Sequence, residues 1–279
     1  PISLSNLYTP ISGSYLLSPR LAPPMIGLGL LEAVPESQIV AYADPNDANG
    51  DGIKGVANYV WDVTTKSIQL GRFGWKANTA SIITQVATAF NQDMGLTSKI
   101  LPVENSYGQA QDDGMKDDPE LPDSTLNAVK FYAQTLSVPA RRNVTDATVK
   151  RGQQLFMLAK CGTCHRQTLT TGINVAFPAV SNQVIHPYSD LLVHNMGAGL
   201  ADNRPDFKAD GQSWRTAPLW GLGLYEKVNN PGYYLHDGRA RTIVEAIIWQ
   251  GGEAEQSKVY YAHLSKADRD AVLKFLYSL

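Results

Sequence analysis

Cys161-Gly162-Thr163-Cys164-His165 is the stretch whose reading decides the fold. Two cysteines separated by two residues and followed at once by histidine have the spacing that attaches a c-type haem. The spacing has a chemical reason. Two thiols on one turn reach the two vinyl groups of one porphyrin as thioethers. The adjacent His165 is then held beneath the iron as proximal ligand. A redox CxxC pair and half of a zinc site share part of this pattern. A zinc site needs more soft ligands, and these are the only two cysteines among 279 residues. A thioredoxin-like pair belongs in a βαβ context and does not require the histidine. Covalent haem is therefore the expectation.

The flanks extend the reading. Asp146–Lys160 carries Val149, Leu155 and Leu158 among its apolar positions, predicting a helix that delivers the chain to Cys161. Residues 166–240 are rich in Gly, Pro and Asn and read as long loops. A haem can support them by supplying apolar surface for irregular backbone to pack on. Arg241–Gln250 and Ser265–Leu279 read as the last helices, with capping-box spacing between Ser265 and Asp268. Helix, CxxCH, loops and terminal helix make the plan of a cytochrome c domain over 139–279. Ser137–Asn143 is the boundary before it.

The first half, 1–138, lacks such a motif. Residues 1–19 are polar and turn-rich. Arg20–Glu32 runs through Pro23 and Pro24 into an apolar segment, predicting a short helix with Leu21, Met25, Leu28 and Leu31 toward a core. Residues 78–90 predict a helix with Ile82, Val86 and Phe90 on one face. Residues 104–123 are acidic and read as a surface loop, after which Ser124 caps a helix to about Leu136. Asp47-Ala-Asn49-Gly-Asp51-Gly52 resembles the first half of a calcium loop, but the twelfth position is Asn58, not the bidentate glutamate. A Ca²⁺ site with ligands Asp47, Asn49 and Asp51, and a plain Asp/Asn/Gly turn cluster, both remain open.

An internal repeat links the halves. Gly27-Leu-Gly-Leu-Leu-Glu32 recurs as Gly221-Leu-Gly-Leu-Tyr-Glu226, Arg20-Leu-Ala-Pro as Arg215-Thr-Ala-Pro, and Trp75-Lys-Ala-Asn-Thr79 echoes Gly238-Arg-Ala-Arg-Thr242. The counterpart of Cys161 would fall before Pro1. Residues 1–138 are accordingly read as the back part of a first haem domain whose attachment segment lies upstream. With no initiator Met, the chain is read as a mature product or a fragment.

Bulk properties exclude some partners. Apolar residues make up 43% and charged residues 18%, an ordinary soluble balance. A net charge of −2 argues against nucleic acid and acidic membrane surfaces. No apolar run is long enough to span a bilayer.

Eight blocks together resemble a known family: Arg20-x-Ala-Pro-Pro, Gly27–Glu32, Arg72-Phe-Gly-Trp75, Phe90-Asn-x-Asp-Met-Gly95, Cys161–His165, Asp190-Leu-Leu-Val-His-Asn-Met196-Gly, Trp214-Arg-Thr-Ala-Pro-Leu and Leu235-His-Asp-Gly-Arg-Ala. They look like the thiol-oxidoreductase-like and peroxidase-like di-haem oxidoreductases, a branch of the bacterial di-haem cytochrome c peroxidase and MauG superfamily. The resemblance runs from Arg20 to the C-terminus and departs only in the missing upstream motif. It implies a mainly α fold of tandem cytochrome c-like domains. It also implies a division of labour, with the N-terminal haem meeting peroxide and the C-terminal haem feeding it electrons.

The resemblance assigns roles. Asp93 would be the acid/base, Gln85 its polar partner and Trp75 the aromatic bridge between haems. The plain alternatives are a helix-end turn residue, a solvated helix face and core packing. The peroxidases place a methionine ligand just before His-Asp-Gly, where this chain has Leu235. Met196 is the candidate replacement as distal ligand, with loop packing as its alternative. Arg215 would pair with a haem propionate, a surface ion pair being the alternative. His194 and His236 match histidines kept for packing or hydrogen bonds, and His186 and His263 carry no signal. The expected partners are an electron-donor protein and hydrogen peroxide or another small or protein substrate. Attachment of this type resembles cytochromes matured outside the bacterial inner membrane, so a periplasmic or extracellular place is expected. A single-haem electron carrier without catalysis, and an oxidase of a thiol or protein partner, are the alternative functions.

Overall fold

The computed structural model describes residues 4–5, 11–112, 114–229 and 232–279. Among these, helices carry most of the regular structure: α1 Leu28–Glu32, α2 Glu36–Val40, α3 Ile82–Met94, α4 Asp123–Thr135, α5 Ala147–Leu158, α6 Tyr225–Val228, α7 Ile243–Trp249, α8 Glu255–His263 and α9 Lys266–Ser278. The described sheet is confined to antiparallel pairs: β1 Tyr59–Asp62 with β2 Ser67–Leu70, β3 Leu169–Thr170 with β4 Val184–Ile185, and β5 Val193–Asn195 with β6 Ser213–Arg215. The fold is mainly α. None of its described helices is long and apolar enough to cross a membrane.

Caps explain why the longer helices start where they do. The side chains of Ser81, Asp146, Thr242 and Ser265 each accept a backbone amide in the first turn of α3, α5, α7 and α9. Each cap stabilises its helix by about 1 kcal/mol. The expected capping box at α9 is only half formed, because Asp268 turns its carboxylate to Arg151 at 3.0 Å. Ser124 is not a cap: α4 begins at Asp123, after Pro122.

Four further expectations are corrected. The helix predicted over Arg20–Glu32 shrinks to α1, since prolines 23 and 24 disfavour a helical approach. Met25 is 47% exposed and faces out, while Leu31 is buried. Leu158, at the end of α5, is 61% exposed. The 166–240 region is not bare loop, for it holds β3–β6 and α6. The β1–β2 hairpin and α8 carried no signal strong enough to predict them. In the hairpin, Val60 and Leu70 are buried and Trp61 and Ile68 exposed, a period-2 pattern too short to stand out.

Two apolar cores result. One joins Leu31, Ile39, Phe73, Ile82, Val86 and Leu126 of the first half to Leu169, Ile185, Leu191, Leu192 and Trp220 of the second. The other gathers Val149, Leu155, Phe156, Tyr188, Ile243, Tyr261, Val272 and Phe275. Its axis is the crossing of α5 over α9. A Cβ on Gly152 would lie 1.9 Å from the Ala271 carbonyl oxygen, so only glycine permits this approach.

The halves repeat one another in space. Gly27 and Gly221 both open their turns in the left-handed region, at φ 71° and 76°. The Gly27 amide donates to Leu136 O just past α4, and the Gly221 amide to Leu279 O just past α9. Gly29 abuts the Gln134 carbonyl as Gly223 abuts that of Tyr277. Glu32 accepts from Gln134 as Glu226 accepts from the Tyr277 hydroxyl. The two units also clasp reciprocally. Gly27 packs on Trp220 and Gly221 on Ile26. Leu21 N donates to His236 O, and Arg215 N donates to Trp75 O, both at 2.7 Å.

The structure shifts this register by two residues. The sequence echo set Trp75 against Gly238. In space the Phe73–Thr79 bridge matches the Tyr234–Ala240 bridge. The left-handed pair Gly74 and Ala77 matches Leu235 and Gly238. Ser81 caps α3 as Thr242 caps α7. Trp75 therefore stands in the place of His236, and Gly74 in that of Leu235.

Candidate functional site

The site starts from α5. Asp146 fixes its beginning, and Val149, Gly152, Leu155 and Phe156 bury its inner face. The helix ends at Leu158, Lys160 takes the left-handed region at φ 61°, and a 3-10 turn follows over Cys161–Thr163. The His165 amide donates to Cys161 O at 2.9 Å. Both cysteines and the histidine thus sit on one turn.

His165 is oriented from behind. Its Nδ1 lies 2.8 Å from the carbonyl oxygen of Tyr188 and donates to it. Burial lowers its pKa, so the ring is neutral and Nε2 keeps its lone pair. Phe156 lies 6.0 Å from the ring, and Phe156, Tyr188 and Phe275 pack mutually behind it as an aromatic trio. A histidine held by a backbone carbonyl through one nitrogen is oriented to ligate metal through the other.

The thiols lie in different surroundings. Burial pushes the Cys161 thiol up to about 11, against a hydrogen bond with Ser257. Burial likewise raises Cys164, whose Sγ lies 3.5 Å from His194 Nδ1. Leu219, Leu235, Ala246 and Ile247 join the apolar cluster that Cys161 packs against.

His194 is buried between two carboxylates. Its Nε2 lies 2.9 Å from Asp190 and its Nδ1 2.7 Å from Glu253. Burial works against its charge, but the bonds to Asp190, Cys164 and Glu253 outweigh it and raise the pKa well above the usual value. Glu253 also accepts the amides of Lys54, Gly55 and Asn195. Cys164, Asp190 and His194 are close enough to share an ion. With both ring nitrogens committed to carboxylates, however, His194 acts as an imidazolium tie and not as a ligand. The i,i+4 spacing of Asp190 and His194 was the one sequence sign of this network. Glu253 and Tyr188 carried none.

The other predicted residues are scattered. Trp75 is half-buried, and its Nε1 donates to Leu21 O at 2.6 Å. Gln85 and Asp93 are both exposed on α3, about 12 Å apart along its axis. Arg215 is buried and donates to the carbonyls of Gly74 at 2.8 Å and Thr216 at 3.3 Å. Burial lowers its pKa to about 10, with Asp190 opposing. The Met196 amide donates to Gln212 O, and its carbonyl faces Gly251. In the candidate calcium loop, Asp47, Asn49 and Asp51 each accept a nearby backbone amide, as turn-forming side chains do.

Sequence reasoning also missed Lys76. It is fully buried, and its Nζ donates to Asp202 at 2.8 Å above the Trp214 ring. Trp214 stacks on His236 with centroids 3.6 Å apart.

Two thiols and a neutral, pre-oriented imidazole in an apolar cluster are a donor set that fits haem. A mainly α frame carries that set. The family model described as "di-haem oxidoreductase, putative peroxidase" matches residues 5–279, and the chain belongs to that family. No curated protein matches it.

Proposed function

We propose that this chain is a c-type di-haem, peroxidase-like oxidoreductase of tandem cytochrome c-like domains, 1–138 and 139–279, acting in the bacterial periplasm or outside the cell. Cys161 and Cys164 would carry the thioethers, His165 the iron, Met196 the distal position and Arg215 a propionate. Haem held here would supply a one-electron iron couple suited to passing electrons between a donor protein and a peroxide site. The chain's own part is positional. Tyr188 fixes the imidazole tautomer. Arg215, buried with only neutral carbonyls as hydrogen-bond partners, favours an anionic group beside it. Asp93 and Gln85 would move and steady a proton at the peroxide site, Trp75 would bridge the haems, and Ca²⁺ in the Asp47–Asp51 loop would be an accessory.

One observation carries the di-haem reading. On α9, Ala271 and Phe275 are covered by α5, the helix leading into CxxCH. The repeat sets Ala128 and Tyr132 of α4 in their places. There Ala128 is exposed and Tyr132 is 61% exposed, and no described helix covers them. A counterpart of α5, leading to a second attachment motif upstream of Pro1, would complete the unit.

A pyridine haemochrome assay on the intact native polypeptide tests the reading. Two haems per chain are expected, and one would sink it. Asp93→Asn and Gln85→Leu should each slow peroxide turnover, and unchanged turnover would remove the site assignment. A single-haem electron carrier is the second reading, favoured by the exposure and separation of Gln85 and Asp93. It requires a spectrum without a high-spin component.

A further inference from the structure

We infer that the cleft between the two halves is a binding site for a small amphipathic carboxylate. The cleft has a volume of about 420 Å³. That lies within the range of small-molecule sites, which concentrate at such boundaries between packed units. It opens where the Gly27 and Gly221 turns cross, beside Val138, Pro139 and Trp220.

The walls decide the ligand class. Val138, Ile185 and Trp220 give it an apolar body. The polar residues along it are Arg141, Gln167, His186 and Tyr188, and neither Asp nor Glu lines it. Arg141 is the one cation. Its hydrogen bonds run to neutral groups only: Ser278 Oγ and Tyr188 Oη at 3.4 Å, and Gln153 Oε1 at 3.0 Å. A guanidinium carries five N–H donors, so donors remain for an oxyanion. A purely apolar solute would leave them unused. A multivalent anion such as phosphate would be pressed against apolar walls at a desolvation cost. One carboxylate on an apolar tail satisfies both surfaces.

The site also touches the haem motif. Tyr188 lines the cleft, and its carbonyl holds His165 Nδ1. The inference does not depend on the haem count, so its failure is separate from failure of the di-haem reading.

Calorimetric titration of the haem-loaded full chain with octanoate, and in parallel with 1-octanol, tests it. Saturable octanoate binding is expected, with 1-octanol weaker. Arg141→Gln should weaken octanoate roughly tenfold, the loss of about one charge-assisted hydrogen bond, and leave 1-octanol unchanged. Arg141 also supports neighbouring side chains, so Val144→Trp provides a second variant. Val144 is half-exposed at the cleft wall, and the larger ring should block both probes while Arg141 stays in place. No saturable heat, or octanoate binding that survives both variants, would overturn the inference.

Discussion

His165 donates through Nδ1 to the carbonyl oxygen of Tyr188 at 2.8 Å, so the orientation of the predicted iron ligand is set by backbone. The Tyr188 ring has a separate task. It is 1% exposed and packs on Phe156 and Phe275, while its hydroxyl meets only a long 3.4 Å contact from Arg141. Tyr188→Phe should therefore cost at most about 1 kcal/mol and leave the haem spectrum unchanged. Tyr188→Ala keeps that carbonyl but should cost about 3 to 5 kcal/mol through the cavity it leaves, and should shift the Soret band as Phe156 beside His165 loses its packing partner. Thermal denaturation followed by absorbance reads both effects. A spectral change in Tyr188→Phe would contradict the backbone assignment.

Gly152 offers a sharper packing test. Its α carbon sits where α5 meets the Ala271 carbonyl and the Phe275 side chain. Gly152→Ala must push the helices apart, at about 1 to 3 kcal/mol, even though alanine is the better helix former. Gly50, with open space around its α carbon, is a control for general effects of removing glycine, though its positive φ carries a strain of its own. Denaturant midpoints for the two alanine variants should separate clearly. Equal midpoints would mean that α5 and α9 are not in close contact.

How much of this was legible in the sequence depends on the range of the interactions. The turn at Cys161–His165, the caps Asp146 and Ser265 and the repeated Gly-Leu-Gly turns are local, and local chemistry determines them. The reciprocal clasp is not local. Nothing near Leu21 announces that its amide meets His236 O, and nothing near Arg215 announces Trp75 O. The register slip at Trp75 has the same origin. The echo followed residue types, whereas the structure conserves backbone conformation, with Leu235 holding a left-handed position that its counterpart fills with Gly74. Glu253 was missed because its four partners come from separate segments.

Asp202 gives a prediction in pH. Burial would raise its pKa, but hydrogen bonds from Lys76, Ser18, Arg20 and the Arg204 amide outweigh it and hold it near about 2. A carboxylate lowered on folding contributes stability that is fully present above its unfolded pKa and is lost as pH falls through the folded value. The contribution is about 2 kcal/mol, disappearing between about pH 3.8 and pH 2. Asp202→Asn removes it at neutral pH and strands the buried Lys76 charge, so a larger cost of about 3 to 5 kcal/mol is expected there. Urea midpoints across this acid range should fall for the parent and change less for the variant. Parallel slopes would show that Asp202 does not carry the acid response.

The distal ligand can be tested at two positions at once. Leu235 belongs to the apolar cluster around Cys161, in the slot where related peroxidases carry methionine, but its branched hydrocarbon cannot bind iron. Met196 has the sulfur, and it stands on the segment beside Gly251 that continues from His194 and Asn195. If Met196 reaches the iron, Met196→Ala should abolish the sulfur–iron charge-transfer band at the red edge of the visible spectrum. Adding Leu235→Met to that variant should restore the band from the other slot. Leucine and methionine are similar in volume, so the second change should cost less than about 1.5 kcal/mol. A band that survives Met196→Ala assigns the ligand elsewhere. A band absent from the parent removes methionine ligation altogether and leaves Met196 as packing against the Gly251 turn.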